Sequence, residues 1–389
     1  MILRNSERME FKKCMAAWNW RYNQGLVPRS QKQDARFFGT CWHYVWAEMY
    51  TPPPGKDGFT RADIDPHELW DQLMRDSYMK ISCDPFFDDD KEKEFMDAQE
   101  LGHIMINGQI ALWNLDPAWE VLAPEQRFRM KVPFNERQKA MGWANFGGLT
   151  HITDIVGTFD MVIRDHGSGA PVPKIIDWKT TNRSDNSKKL NIDDQCGTYM
   201  AVATKTMRKE GLIREDEVIE DMIFSFARKG KPPENADENG VVRNMPTVAD
   251  YRDALGLSDN DIKGLKKEKL IELADTAGIK VWGARSKNQG SQLFWREAVR
   301  RNHANRARSI SRIADDAEAM MAVRGGRLPI LKSPNPGCSW CDYADLCDID
   351  EDGGDTETFI KDVFKYENPY SDHEDGAVNS KKLENKDKK

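Results

Sequence analysis

The middle of the chain constrains its fold most. Two apolar, β-branched runs, 152–164 (ITDIVGTFDMVIR) and 173–180 (PKIIDWKT), flank a Gly-, Ser- and Pro-rich turn from Asp165 to Pro173. Such a pattern predicts an antiparallel hairpin. A similar run, 119–132 (WEVLAPEQRFRMKV), precedes it, and 221–228 (DMIFSFAR) follows after a helical stretch over 190–210. The flanking sequence reads as helix: 5–24, then 33–50 closed by Pro52-Pro53-Pro54-Gly55, then 64–115 interrupted near Pro85 and Asp88-Asp89-Asp90. Helices, three strands, a helix and a strand predict an α/β core, with a mixed central sheet flanked by helices and helical insertions.

Hydrophobic residues make up 39% of the 389 residues and charged residues 31%, enough apolar material for a sizeable core. No window approaches the ~18 consecutive apolar residues of a membrane span, and Met1 to Lys13 lacks the apolar stretch of a secretory signal. The expectation is a soluble, cytoplasmic protein with no membrane partner. The net charge of −7 is unevenly spread: 348–389 holds 13 acidic and 7 basic residues, so the remainder is near neutral. Within that remainder, 285–312 carries eight Lys and Arg against one acid, Glu297. Its spacings Arg296/Arg300 and Arg301/Arg308 suit helical faces. A basic helix is commonly a solvated face, but a polyanion needs local positive charge. Arg296, Arg300 and Arg301 are therefore candidate nucleic-acid contacts.

In Asp177-Trp178-Lys179, strand alternation points the carboxylate and the ammonium to one face and buries the indole on the other. A surface ion pair fits that triplet; so does phosphodiester hydrolysis, in which a carboxylate holds Mg²⁺ and a lysine orients or helps deprotonate water. Asp160, on the preceding strand, bears on the choice: carboxylates side by side repel unless protons or a cation intervene. Gln195 and Tyr199 share a face of the next helix. His43 follows Gly39 on an apolar helix, as a core residue or as a metal ligand.

Together these segments resemble the RecB-family branch of the PD-(D/E)XK nucleases, including AddB-type and CRISPR-associated adaptation nucleases and phage RecB-like exonucleases. The matching pieces are G-x-x-x-H at Gly39 to His43, G-x-x-D at Gly157 to Asp160, D-x-K at Asp177 to Lys179 and Q-x-x-x-Y at Gln195 to Tyr199. The resemblance implies a restriction-endonuclease-like core. It implies that His43, Asp160, Asp177 and the main-chain carbonyl of Trp178 bind Mg²⁺ or Mn²⁺. Lys179 is then the catalytic lysine, with Gln195 and Tyr199 supporting it and the DNA strand. Glu125 matches a further acidic position less specifically. Where many relatives carry Glu, this chain has the shorter Asp177.

Of seven cysteines, Cys338, Cys341 and Cys347 stand in a C-x₂-C-x₅-C spacing that points to a metal or cluster site. Three thiolates leave one ligand to find, or form a small zinc site with a non-cysteine fourth ligand. The segment around Cys14 is similar to the N-terminal cysteine segment of iron–sulfur members of the family. That likeness implies a [4Fe–4S] cluster on Cys14, Cys338, Cys341 and Cys347, with Cys41 in reserve. Cys83 and Cys196 read as ordinary thiols.

The chain thus divides into an N-terminal helical region (1–115) carrying Cys14 and His43, a nuclease core (116–230), a charged, mostly helical insertion (231–330), the cysteine cluster (331–349) and an acidic, disordered tail (350–389). Within the insertion, 258–290 weakly resembles small helix-extended-helix DNA-binding modules; a charged helical hairpin accounts for it equally. The expected function is a metal-dependent DNA exonuclease acting on single-stranded or free ends, in recombination, repair or end processing in a phage or bacterium. The alternatives are an inactive iron–sulfur DNA-binding protein and a nuclease subunit working beside a helicase or recombination partner, since no Walker A motif is present.

Overall fold

A computed structural model describes residues 1–29, 35–83, 87–143, 149–167, 169, 171–182, 186–237, 241–288 and 292–371. The expected interruption at Pro85 and the end of the tail beyond 371 lie outside the described residues. The chain begins with strand β1 (Ile2–Arg4), helix α1 (Asn5–Lys13), the helical turn α2 (Met15–Trp18) and strand β2 (Leu26–Pro28). Three helices follow: α3 (Ala35–Met49), α4 (Pro66–Ile81) and α5 (Asp89–Trp113). The centre comprises β3 (Trp119–Val132), α6 (Glu136–Ala140), β4 (Thr153–Asp165), β5 (Val172–Thr181), α7 (Asp194–Lys209) and β6 (Asp221–Arg228). Then come α8 (Val248–Leu255), α9 (Lys267–Thr276), β7 (Phe294–Arg300), α10 (His303–Arg324), α11 (Ala344–Glu351), α12 (Thr356–Val363) and β8 (Phe364–Tyr366).

Strands β1, β3, β4, β5, β6 and β7 form one mixed sheet. β3 lies antiparallel along one edge of β4. The opposite edge of β4 is shared: β5 pairs with it from Asp165 to Met161, and β1 pairs with Asp154 to Val156. Neither takes Gly157 to Asp160, which leaves a break in the sheet there. β5 continues in parallel with β6, and β6 antiparallel with β7.

Each face of the sheet is covered. Leu3, Phe159, Ile175, Phe224 and Phe226 pack with Met200 and Ala203 of α7 and Ile313 and Ala317 of α10. On the other face Met161, Ile163, Ile176 and Trp178 meet Trp42, Val45 and Trp46 of α3, with α4 and α5 behind. The aromatic side chains contribute most here, since each buries a large apolar area. A third, smaller cluster joins the chain ends: Ala17, Leu26, Tyr343, Leu346 and Phe364.

Three expectations change. The segment read as one helix over 5–24 breaks at Cys14, whose backbone is extended at φ −160°. The insertion over 231–330, read as mostly helical, contains β7, because Phe294, Trp295 and Val299 complete the hydrophobic edge beside β6. The tail read as disordered from 350 is ordered through 371. There α12 carries β8 back onto β2, Phe364 is buried, and Tyr370 donates a 2.6 Å hydrogen bond to the buried Glu7 carboxylate. Net acidity hid a few apolar anchors that suffice once a partner strand is in place.

Candidate active site

The break in the β4 edge places the charged side chains. β4 and β5 stop pairing one residue short of Asp160 and Asp177. The Trp178 N–H, free of the ladder, donates a 2.9 Å hydrogen bond to Asp160 Oδ2. The Trp178 indole is buried on the opposite face among Trp46 and Tyr50, as alternation requires. His43, from α3, reaches the same carboxylate with Nδ1 at 3.1 Å from Asp160 Oδ2. Gly39, one helical turn earlier, lets α3 approach β5: a Cβ there would stand 3.3 Å from Thr180 Oγ1.

Asp177 is fully buried. Its Oδ2 accepts from the Lys179 ammonium, 2.5 Å away. Gln195 at the start of α7 ties the pair together. Its amide nitrogen donates to Asp177 Oδ1 at 3.1 Å, and its carbonyl accepts from Lys179 Nζ at 3.1 Å. Tyr199, one turn on, is buried against Phe128 and Phe159 and hydrogen-bonded to Gln195. The Asp193 side chain caps α7 on the Cys196 N–H, which fixes the start of the helix.

The electrostatics follow from burial. Desolvation raises Asp177 to about 6 despite Lys179, and the neighbouring Asp160 adds to the rise. Asp160 is half-buried, which opposes its charge, but His43 and Lys179 outweigh that and hold it at about 2. Burial opposes a charged His43, yet Asp160 overcomes it and lifts the imidazole above its usual value. Lys179 is likewise raised, burial being outweighed by Asp177 and Asp160. It stands as an ammonium, a donor and charge stabiliser rather than a base.

The six side chains expected here, His43, Asp160, Asp177, Lys179, Gln195 and Tyr199, are brought together. The sequence under-read Glu125. It lies between Pro124, opposite Met161, and Gln126, opposite Phe159, and so faces Asp160 across the ladder. Its φ of 44° is left-handed, and its charge reaches Tyr199. A non-glycine residue in that region of a strand is an uncommon conformation worth weighing.

The arginines expected on helical faces lie on or just after a strand. Arg296 and Arg300 lie on strand β7, on the sheet face opposite Asp177 and Lys179. Arg296 grips Asp116 with both terminal nitrogens between the rings of Trp113 and Trp119. Arg300 pairs with Glu220, and the buried Arg301 donates to the Leu190 carbonyl. Their partners are carboxylates, rings and a main-chain carbonyl of this protein, and β7 turns Arg296 and Arg300 away from the break.

The second cluster joins the chain ends. Cys14, Cys338, Cys341 and Cys347 all line one cavity of about 610 Å³, together with Lys13, Trp20 and Lys332. Cys41 is instead buried in the α3 core, where desolvation pushes its thiol to about 12. The Asn335 N–H points at Cys338 Sγ, 3.4 Å away. Burial raises the Cys341 and Cys347 thiols, and Cys14 adds to the rise at Cys347. Thiols that disfavour one another's ionised form suit a cation between them. Among the described residues, neither these thiols nor the carboxylates are drawn into a closed shell of three or more ligands.

The sequence pattern of the PD-(D/E)XK nuclease superfamily matches residues 6–348, nearly the whole chain. The protein belongs to the PD-(D/E)XK nuclease superfamily. Nucleases of this superfamily typically use Mg²⁺ or Mn²⁺. A search among curated proteins finds no match. The match extends past the core to the cysteine segment, so β7, α10 and the first half of α11 fall within the matched range. No helix among the described residues is long and apolar enough to cross a membrane.

Proposed function

We propose that this nuclease is a metal-dependent DNA exonuclease that hydrolyses phosphodiester bonds at single-stranded or free ends and leaves 5′-phosphates. One observation carries the reading: two carboxylates, an imidazole and a lysine converge where the β4 edge is open. The donor set of two carboxylates and an imidazole suits a divalent cation. His43, Asp160, Asp177 and the Trp178 carbonyl would hold Mg²⁺ or Mn²⁺. Such an ion supplies Lewis-acid activation of water and of the phosphoryl group. Lys179 stabilises charge developing on the phosphoryl oxygens and orients the attacking water. Gln195 keeps the Lys179 ammonium and the Asp177 carboxylate in register, and Tyr199 backs Gln195.

Cys14, Cys338, Cys341 and Cys347 would hold a [4Fe–4S] cluster whose role is structural. It closes the chain ends around the core and takes no part in hydrolysis. Clustered reduced thiols suit the cytoplasm of a bacterium or an infected cell. The work there is DNA end processing in recombination or repair, alone or beside a helicase or recombination protein. The test is a cleavage assay on end-labelled linear and circular DNA with Mg²⁺ or Mn²⁺, and again with EDTA. Metal-dependent loss of linear DNA alone supports an exonuclease. Nicking of circles redirects the reading to an endonuclease, and inertness with both metals refutes catalysis in favour of a DNA-binding role.

A further inference from the structure

Arginines of this protein are mostly committed to carboxylates. Arg8 binds Asp316, Arg164 binds Glu217 and Arg296 binds Asp116. Arg228, at the end of β6, is not. Its Nε is buried without a hydrogen bond, and its guanidinium forms no hydrogen bond or ion pair among the described residues. The backbone around it is fully used: the Arg228 N–H donates to the Leu293 carbonyl, and the next N–H donates to Thr181. The strand end is therefore held while the side chain is left over. A half-buried cation without a counter-charge is costly unless a ligand offsets it.

Its position says which ligand. β5 and β6 run parallel with Asp177 opposite Phe224, Lys179 opposite Phe226 and Thr181 opposite Arg228. Partners in such a ladder point to the same face, so Arg228 shares the face of Asp177 and Lys179. It stands one strand across and two residues beyond Lys179, roughly 8 Å away by backbone spacing. Phe224 and Phe226 fill that face before it, so Arg228 is the first cation on β6 beyond the apolar floor. A guanidinium offers a planar fork of donors that matches the oxygens of a phosphate.

We propose that Arg228 binds a backbone phosphate of the DNA strand adjacent to the scissile one. The inference rests on the nuclease reading above and adds a substrate contact to it. It makes the C-terminal end of β5 and β6 the floor along which the strand leaves the reacting carboxylates. The role is binding and positioning, since Arg228 stands on the strand beside the one that carries Asp177 and Lys179 and two residues further along it.

The test uses the full-length protein and a set of single-stranded oligonucleotides in which each phosphate in turn is replaced by a neutral methylphosphonate. Binding is read in EDTA, and cleavage in Mg²⁺. Wild-type protein should lose about tenfold in affinity at one position, the loss of one charge-assisted contact. Arg228→Gln should bind unmodified DNA about tenfold more weakly, be indifferent to methylphosphonate at that position, and show a salt slope flatter by about 0.7. Its melting temperature should be no lower than that of wild type, because no hydrogen bond or ion pair within the protein is removed and an unpaired half-buried charge is. Arg228→Lys should restore the salt slope. An Arg228→Gln or, should that variant not fold, an Arg228→Met protein whose methylphosphonate profile has the wild-type shape overturns the assignment and leaves the nuclease reading intact. Wild-type protein that neither binds nor cuts DNA overturns both.

Discussion

The carboxylates at the break in β4 are held by His43, Lys179, Gln195 and a backbone N–H, whereas the four thiols at the junction of the chain ends face a cavity. The first region sits between two large apolar clusters, on strands whose pairing sets every position. The second sits on short helices and turns over a small cluster of buried residues. A rigid scaffold can hold groups in a strained electrostatic arrangement before a ligand arrives, and pays for it in stability. A junction with little core of its own needs ligation or strand pairing to persist. Damage to the first region should therefore abolish chemistry and spare the fold. Damage to the second should loosen the chain ends first.

The largest expected effect is on cleavage. Lys179→Ala and Asp177→Asn should each lower the cleavage rate on the order of 10³-fold or more, the scale of losing a preorganised charge stabiliser. Circular dichroism should report an intact fold for both. Full activity in either variant would remove the active site from β5.

At the other region, anaerobically purified protein should contain iron and acid-labile sulfide, and Cys338→Ser and Cys14→Ser should lose both. Limited proteolysis should then cut the segment from 325 to 371 before the core. Zinc without iron would overturn the cluster, and iron loss in Cys41→Ser but not in Cys14→Ser would move only the fourth ligand.

A smaller effect sharpens the contrast, because a functional substitution should stabilise. The buried Asp177 has a folded pKa raised to about 6 from 3.8. A raised acid weakens the fold above its folded pKa, and the penalty vanishes as pH falls below the unfolded value. In EDTA at pH 8, Asp177→Asn should thus be more stable than wild type, by about 3 kcal/mol at most. The gain should shrink between pH 6 and pH 4 and be absent below. Denaturant melts across that range decide it, and a gain independent of pH would contradict the electrostatic account.

The smallest effect lies at the junction. The Tyr343 hydroxyl donates a buried 2.7 Å hydrogen bond to the Leu26 carbonyl, and its ring stacks on Phe364. Tyr343→Phe should cost about 1 kcal/mol in a thermal melt and keep its iron. Iron loss in that variant would mean that packing, more than the thiols, shapes the cavity.

Much of the candidate site was legible because its signals are local. Alternation in Asp177-Trp178-Lys179 puts the carboxylate and ammonium together, and the four-residue step from Gln195 to Tyr199 puts amide and phenol on one helical face. The turn after Asp165 brings Asp160 to Asp177 without long-range information. The spacing of Cys338, Cys341 and Cys347 is local too. Glu125 was faint because its inward aim depends on a left-handed φ that no periodicity reports.

What the sequence by itself determined, then, is the local patterns around Asp160, Asp177, Gln195 and Cys338, each of which lies within one strand, one helix or one turn. The tertiary structure alone decided the rest: that β1 takes over the edge of β4 and leaves a break, that β7 joins the sheet, and that β8 returns to β2. It decided that Arg296 spends its charge on Asp116 while Arg228 keeps its own. It also brought Cys14 to thiols more than three hundred residues away. The reason is physical. Pairing between distant strands is chosen by which apolar faces can be covered together, and a charge takes whichever partner that covering brings near.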